Sequence, residues 1–101
     1  MINVIATISI QASKIEEFRH IFTANIPNVL KEKGCLDYRL TADFDTGFEQ
    51  QLLNENSVTV IEKWNTFEDF QNHRLAPHMI EHKLKVKDLV DNLSIKVLQE
   101  I

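Results

Sequence analysis

The segment Val58–Trp64 places a carboxylate and an indole on the apolar side of a predicted strand. Because successive side chains of a strand point to opposite faces, one face carries Val58, Val60, Glu62 and Trp64. An ionised and unpaired Glu62 is costly to bury, so it needs a partner, a raised pKa or a wet pocket. Glu62 is therefore the first candidate for chemistry, either as a catalytic group or as half of a structural ion pair or hydrogen bond.

Two histidines follow this strand in a region of helical pattern. His73 and His78 are five residues apart, and Pro77 lies between them, so their spacing does not fix their relative direction. Histidine has an unperturbed pKa of about 6.5 and suits general-base catalysis, but either residue could equally be an ordinary surface histidine. His78 and His82 could share a helix face for a metal ion, but no third ligand is evident, and we predict no metal site.

The composition is typical of one compact domain that binds neither nucleic acid nor membranes. The 101 residues are 44% hydrophobic and carry a formal net charge of −4, which predicts a single domain over residues 1–101. No stretch approaches the ~18 apolar residues of a membrane helix, and the N-terminus has no signal-peptide pattern. The single cysteine, Cys35, excludes an intramolecular disulfide and fits a reducing compartment. We therefore expect a cytoplasmic protein.

Apolar and polar residues alternate in four segments of the chain, as is typical of half-buried strands. In the second segment, every other residue from Leu36 to Ala42, including Tyr38, is predicted to face the core. Residues 45–56 are irregular, and we interpret them as a long hairpin connection. The predicted strands cover about 2–10, 36–42, 57–64 and 93–101.

Helical spacing predicts two helical regions between these strands. Ser13 and Glu16 form a capping-box pattern at the start of the first helix, and Gly34 is expected to end it in the left-handed conformation. Pro27 should kink or split this helix near residue 25. Thr66 is the predicted N-cap of the second region. Its core candidates are Phe67, Phe70 and Leu75 in a short helix, and Ile80, Leu84 and Leu89 in a helical piece over roughly 77–91.

The order βαββαβ predicts an α+β, ferredoxin-like fold. In this fold an antiparallel four-stranded sheet carries its helices on one face. The opposite sheet face mixes apolar and charged residues, so we expect two copies of the chain to associate through it. A domain of this size buries only about two-thirds of the surface that its unfolded chain exposes, and a dimer would bury more.

Three segments of the chain carry a family resemblance, namely Ile26–Cys35, Ser57–Trp64, and His73 with Ala76–Met79. In their order and spacing they resemble the antibiotic biosynthesis monooxygenase (ABM) family, and in particular its small quinol monooxygenases. The resemblance implies a homodimer whose two sheets join into an α/β barrel, with one pocket in each subunit. It also implies oxidation of quinols or polycyclic phenols with O2, without metal, haem or flavin.

The resemblance further implies the class of reaction and the residues that form the pocket. We predict a cofactor-independent monooxygenase acting on a quinol or a related aromatic. Two other interpretations stay open. One is an isomerase or detoxifying enzyme of a small carbonyl compound, and the other is a non-catalytic dimeric module that binds a small ligand. The implied catalytic residues are His73, His78 and Glu62, and the implied substrate-binding residues are Tyr38, Trp64 and Met79.

Overall fold

The computed structural model describes residues 1–101 and confirms the ferredoxin-like α+β fold. Four antiparallel strands form one sheet in the order β2-β3-β1-β4, and three helices pack on one of its faces. None of the helices is long and apolar enough to cross a bilayer. The elements are β1 (Ile2–Ile10), α1 (Ile15–Leu30), β2 (Cys35–Thr41), β3 (Ser57–Trp64), α2 (Phe67–Leu75), α3 (Pro77–Val86) and β4 (Val90–Leu98).

The strand register places Glu62 in the middle of the buried sheet face. Glu62 on β3 is opposite Val4 of the neighbouring strand β1 and opposite Tyr38 of the other neighbour, β2. All three side chains are buried. The prediction that Glu62 points to the apolar side of its strand is therefore confirmed.

Leu36 does not face the core, so the prediction for this residue was wrong. The pairing of β2 with β3 shifts between Cys35 and Asp37, and Leu36 is the extra residue of a bulge. Its side chain is 52% exposed, whereas Cys35 packs against the core. Beyond the bulge the alternation is restored, and Tyr38 is buried as predicted.

The first helix differs from its prediction at its start and in its middle. Ser13 has a φ of 69°, which is not the extended conformation of an N-cap, and the N-cap residue Lys14 makes no side-chain capping bond. The predicted capping box of Ser13 and Glu16 is therefore wrong. The helix also continues through Pro27 without a split, because residues on both sides of the proline, including Phe22, are buried in the core.

The turn after α1 brings Glu32 close to α2. The helix ends at Leu30, before the predicted Gly34, and the N–H of Glu32 donates to the carbonyl of Val29 at 2.9 Å. Gly34 has the predicted left-handed φ, 80°. A Cβ at this position would collide with the side chain of Asp69 on α2. Glycine therefore permits the close approach of α2 to the turn that carries Glu32.

The second helical region consists of two separate helices. Thr66 caps α2 as predicted, since its hydroxyl accepts a hydrogen bond of 3.0 Å from the N–H of Asp69. The helix α3 ends at Val86, and β4 begins at Val90, so the predicted helical piece over 77–91 was too long.

Several core candidates of these two helices are exposed, and in α3 the face that packs inward differs from the one that its most apolar residues suggested. Phe18 and Phe22 of α1 pack against the ring of His82, which takes the place expected for Ile80 or Leu84. Phe70 and Leu89 are buried as predicted. The exposed candidates are Phe67, Leu75, Ile80 and Leu84.

The strand β4 is the part of the sheet that the helices cover least. Leu93, Ile95 and Val97 lie on the same face as the core residues of β1, yet they are 43–56% exposed. Ile101, which was assigned to this strand, lies beyond its end. A second copy of the chain could bury these exposed apolar side chains. The dimer and its shared barrel stay predictions.

Candidate active site

A cavity of about 560 Å³ lies between the buried sheet face and the helices. Its walls are mainly apolar and include three phenylalanine rings, a composition that suits a small and largely apolar ligand. A few polar side chains interrupt these walls. The cavity's polar and charged lining residues are Tyr38, Glu62, His73, Arg74, His82, Lys83 and Lys87.

Glu62 is held in this cavity by the indole of Trp64. Both side chains point to the same face of β3, and Nε1–H of Trp64 donates a 3.0 Å hydrogen bond to Oε1 of Glu62. Glu62 is 6% exposed. Burial raises the pKa of Glu62 to about 7, the bond from Trp64 opposes this rise, and the nearby carboxylate of Glu32 adds to it. Glu62 can therefore gain or lose a proton near neutral pH.

His73 is fixed by a carboxylate on the side of its ring away from Glu62. Its Nδ1 lies 2.8 Å from Oε2 of Glu32. An ionised carboxylate can only accept, so Nδ1 carries the proton, and Nε2 of the neutral ring has a free lone pair. Burial lowers the pKa of His73, although Glu32 opposes this shift. Nε2 lies 3.9 Å from Oε1 of Glu62.

His78 shares the same carboxylate but does not line the cavity. Its Nε2 lies 2.7 Å from Oε2 of Glu32, so this one oxygen binds both His73 and His78. The side chain of His78 is 27% exposed and borders a separate, more polar depression of about 230 Å³. Of these two histidines, only His73 lines the large cavity.

Aromatic rings surround His73 and restrict its orientation. The ring centroids of Trp64, Tyr38 and Phe70 lie 4.7, 5.5 and 6.2 Å from that of His73. Tyr38 also lines the cavity. Burial, with Glu62 and Glu32 adding to its effect, raises the pKa of Tyr38. Its phenol therefore keeps its proton at neutral pH and can donate a hydrogen bond.

His82 and His78 are four residues apart on α3 but have different surroundings. His82 is buried, and its ring packs edge-on against Phe22 with the centroids 5.5 Å apart. His78 binds Glu32 instead. No three His, Cys, Asp or Glu side chains are arranged to hold a metal ion.

The structure brings four of the six predicted site residues to the cavity. Trp64 lies behind the cavity wall and reaches it through Glu62, and His78 lies outside it. Sequence analysis missed Glu32, which joins the two histidines. Its only signal was its position in Ile26–Cys35, one of the segments that resemble the ABM family. The four residues on the cavity are Tyr38, Glu62, His73 and Met79.

The fold and the cavity define a ferredoxin-like domain with an acid–histidine pocket, and comparison with known proteins identifies its family. The family model for antibiotic biosynthesis monooxygenase matches residues 1–83. The chain therefore belongs to the ABM family, which confirms the resemblance seen in its three segments.

Individual relatives agree with this assignment. The protein "Probable quinol monooxygenase YgiN" of Escherichia coli K12 is 33% identical over 78 residues, which are 77% of this chain and 75% of the relative. A conserved protein from Methanosarcina mazei Go1 has a TM-score of 0.85 and 23% identity over 99% of this chain and 92% of its own. Rv0793 from Mycobacterium tuberculosis has a TM-score of 0.82 and 21% identity, and the match covers 99% of this chain and 94% of Rv0793. These two structures show the likeness of fold.

Proposed function

We propose that this protein is a cofactor-independent monooxygenase that oxidises a quinol or a related aromatic with O2. Membership of the ABM family and the name of the Escherichia coli relative support the reaction class. The observation that carries the proposal is the orientation of His73. Its Nδ1–H is bound to Glu32, and its ring lines an apolar cavity with Nε2 free to accept a proton.

Proton removal is the step that this arrangement supports best. A neutral hydroquinone transfers an electron to O2 slowly, whereas its anion is electron-rich and does so more readily. Nε2 of His73 takes the phenolic proton, and the Glu32 carboxylate stabilises the imidazolium that forms. The apolar walls provide a nonpolar environment for the ring and O2.

Glu62 and Tyr38 serve the later movements of charge and protons. Glu62 lies 3.9 Å from Nε2 of His73, and its pKa of about 7 lets it receive and return a proton during turnover. Tyr38 lines the cavity and donates a hydrogen bond to the developing oxyanion. Trp64 acts through Glu62, whose carboxylate it holds in place.

The reaction balances without an external reductant when the substrate supplies all four electrons. The phenolate transfers one electron to O2, and the resulting radical and superoxide join to form a C–O bond at the ring. Loss of the ring C–H proton and cleavage of the O–O bond leave one oxygen on the ring and release the other as water. In this way 1,4-naphthohydroquinone and O2 give 2-hydroxy-1,4-naphthoquinone and water.

We further propose that the protein is a cytoplasmic homodimer. The sheet face away from the helices carries the half-buried Ile5 and Ile61, and β4 leaves Leu93 and Ile95 open, so a second copy has apolar surface to cover. The thiol of Cys35 is unpaired, which fits a reducing compartment. A dimeric mass in light scattering at micromolar concentration is expected, and a monomeric mass would contradict the homodimer.

Oxygen uptake by purified, chelator-treated protein with reduced naphthoquinones tests the reaction. We expect uptake above the spontaneous rate and, with 18O-labelled O2, one labelled oxygen in the hydroxylated product. Uptake at the spontaneous rate would reject the monooxygenase and favour the isomerase or the ligand-binding module. Formation of unlabelled quinone with hydrogen peroxide would show an oxidase instead.

A further inference from the structure

Three cationic side chains border the same cavity. Arg74 belongs to α2, Lys83 belongs to α3, and Lys87 is the C-cap residue that directly follows α3. Lys87 has helical backbone angles, so the spacing of four residues places Lys83 and Lys87 on one side of this helix end. All three residues are exposed, so their charges lie at the rim and not in the apolar interior. The rim therefore presents a cluster of positive charge above an aromatic pocket.

These rim charges have no partners within the chain. Arg74, Lys83 and Lys87 form no ion pair, whereas the neighbouring Lys85 binds Glu81 at 3.2 Å. The rim is thus positive although the whole chain has a net charge of −4. A cleft lined by one sign of charge attracts ligands of the opposite sign.

The cavity has one carboxylate, Glu62, and it is buried, whereas the three cationic residues are exposed. Glu62 on the sheet is buried beside His73 of α2, while the cations come from exposed residues of α2 and of the C-terminal end of α3. An anionic group placed deep in the cavity would approach Glu62 and be disfavoured. The same group at the rim would be near Arg74, Lys83 and Lys87, which are the exposed charged residues of the cavity lining, so the distribution of charge favours entry of the uncharged end of a ligand first.

We propose that the cavity binds an aromatic ring that carries an anionic substituent, a carboxylate or a sulfonate. The ring occupies the apolar interior, with its hydroxyl beside His73. The anion lies between Arg74, Lys83 and Lys87. This inference rests on the proposed function for the hydroxyl's role, but the charge preference can be measured without turnover.

Calorimetric binding of two redox-inert probes of the same shape, 2-naphthoate and 2-naphthamide, tests the preference. We expect the wild-type protein to bind the naphthoate at least ~5-fold more tightly, and increasing salt to reduce this ratio. The double variant Lys83→Glu with Lys87→Glu should weaken naphthoate binding by at least ~10-fold and change naphthamide binding by less than about 2-fold. Lys85→Glu, on the same helix but outside the cavity, should leave both affinities within about 2-fold.

Several outcomes would overturn the inference. Equal affinities of the wild-type protein for the two probes would reject an anionic ligand, as would equal losses for both probes in the double variant. Tighter binding of ribose 5-phosphate than of naphthoate would reject the aromatic ring. A naphthoate preference in a protein without oxygen uptake would support the inference while rejecting the monooxygenase, so the two proposals fail separately.

Discussion

Glu32 accepts a 2.8 Å hydrogen bond from Nδ1 of His73, although the two residues are 41 positions apart in the chain. The turn after α1 supplies the carboxylate, and α2 supplies the imidazole. A carboxylate behind a histidine fixes the tautomer and stabilises the imidazolium, as in hydrolase triads. Here it leaves Nε2 of a ring that lines the cavity free to act as a base.

Replacing Glu32 with glutamine should lower kcat by about 10- to 100-fold, because the amide is neutral and stabilises the imidazolium less. Glu32 does not line the cavity, so KM should stay within about 2-fold. Steady-state oxygen uptake with a reduced naphthoquinone measures both. Glu81→Gln removes an exposed carboxylate of α3 that pairs with Lys85, and it is the matched control. Equal kcat values for wild type and Glu32→Gln would contradict the role of Glu32.

Replacing Gly34 with alanine should lower the free energy of unfolding by about 2–4 kcal/mol. The substitution strains a left-handed residue and also forces Asp69 away from the turn. Gly47 has a similar φ, 76°, but open space around it, so Gly47→Ala should cost only about 1 kcal/mol. Urea denaturation of both variants separates the collision from the strain. Equal losses of unfolding free energy in the two variants would show that the collision with Asp69 does not add to the destabilisation of Gly34→Ala.

Replacing Trp64 with phenylalanine should raise the pKa of Glu62 above its wild-type value of about 7. The variant removes the indole N–H, whose hydrogen bond favours the ionised carboxylate. Carbon-13 NMR titration of the glutamate carboxyls measures this pKa. Val58→Ala truncates another buried side chain of β3 that does not line the cavity, and it should cost stability while leaving the titration unchanged. An unchanged or lowered pKa in Trp64→Phe would refute the contribution of the hydrogen bond.

Glu62 should make folding less favourable as the pH rises. Burial raises its pKa from 4.5 to about 7, so the folded chain keeps a proton that the unfolded chain releases in this interval. The stability that Glu62 contributes is therefore fully present below pH 4.5 and is lost as the pH rises through about 7. Relative to Glu62→Gln, the wild-type free energy of unfolding should fall by up to about 3 kcal/mol across this range.

Urea denaturation of wild type and Glu62→Gln at several pH values measures this difference. Subtracting the free energy of unfolding of the variant from that of the wild type at each pH removes the effect of groups that titrate in both proteins, including most of the contribution of His73. A difference that does not change with pH, or that grows in favour of wild type as the pH rises, would contradict the raised pKa.

Local pattern was sufficient to predict the order of the regular elements and the side-chain direction along β3. Alternation along β3 predicts the inward direction of Glu62, and the capping residue Thr66 predicts the start of α2. Neither depends on distant parts of the chain. The βαββαβ order follows from these elements, which is why the ferredoxin-like fold of the single chain could be predicted.

The errors concern features that distant contacts decide. The bulge at Leu36 reflects how β2 pairs with β3, and the inward face of α3 depends on the rings of α1 that receive His82. Glu32 lies in a turn, where no periodic pattern indicates direction. Its contact with His73 exists because α2 packs closely on Gly34, which a single sequence does not reveal.

The central claim is that His73, and not His78, is the base. Oxygen uptake by purified protein with a reduced naphthoquinone tests it most directly when wild type is compared with His73→Ala and His78→Ala. We expect His73→Ala to lower turnover at least ~100-fold, because it removes the free imidazole nitrogen beside the cavity. His78→Ala should retain turnover within ~5-fold, because His78 does not line the cavity and contacts only the Glu32 carboxylate behind His73. Near-wild-type turnover in His73→Ala would contradict the account.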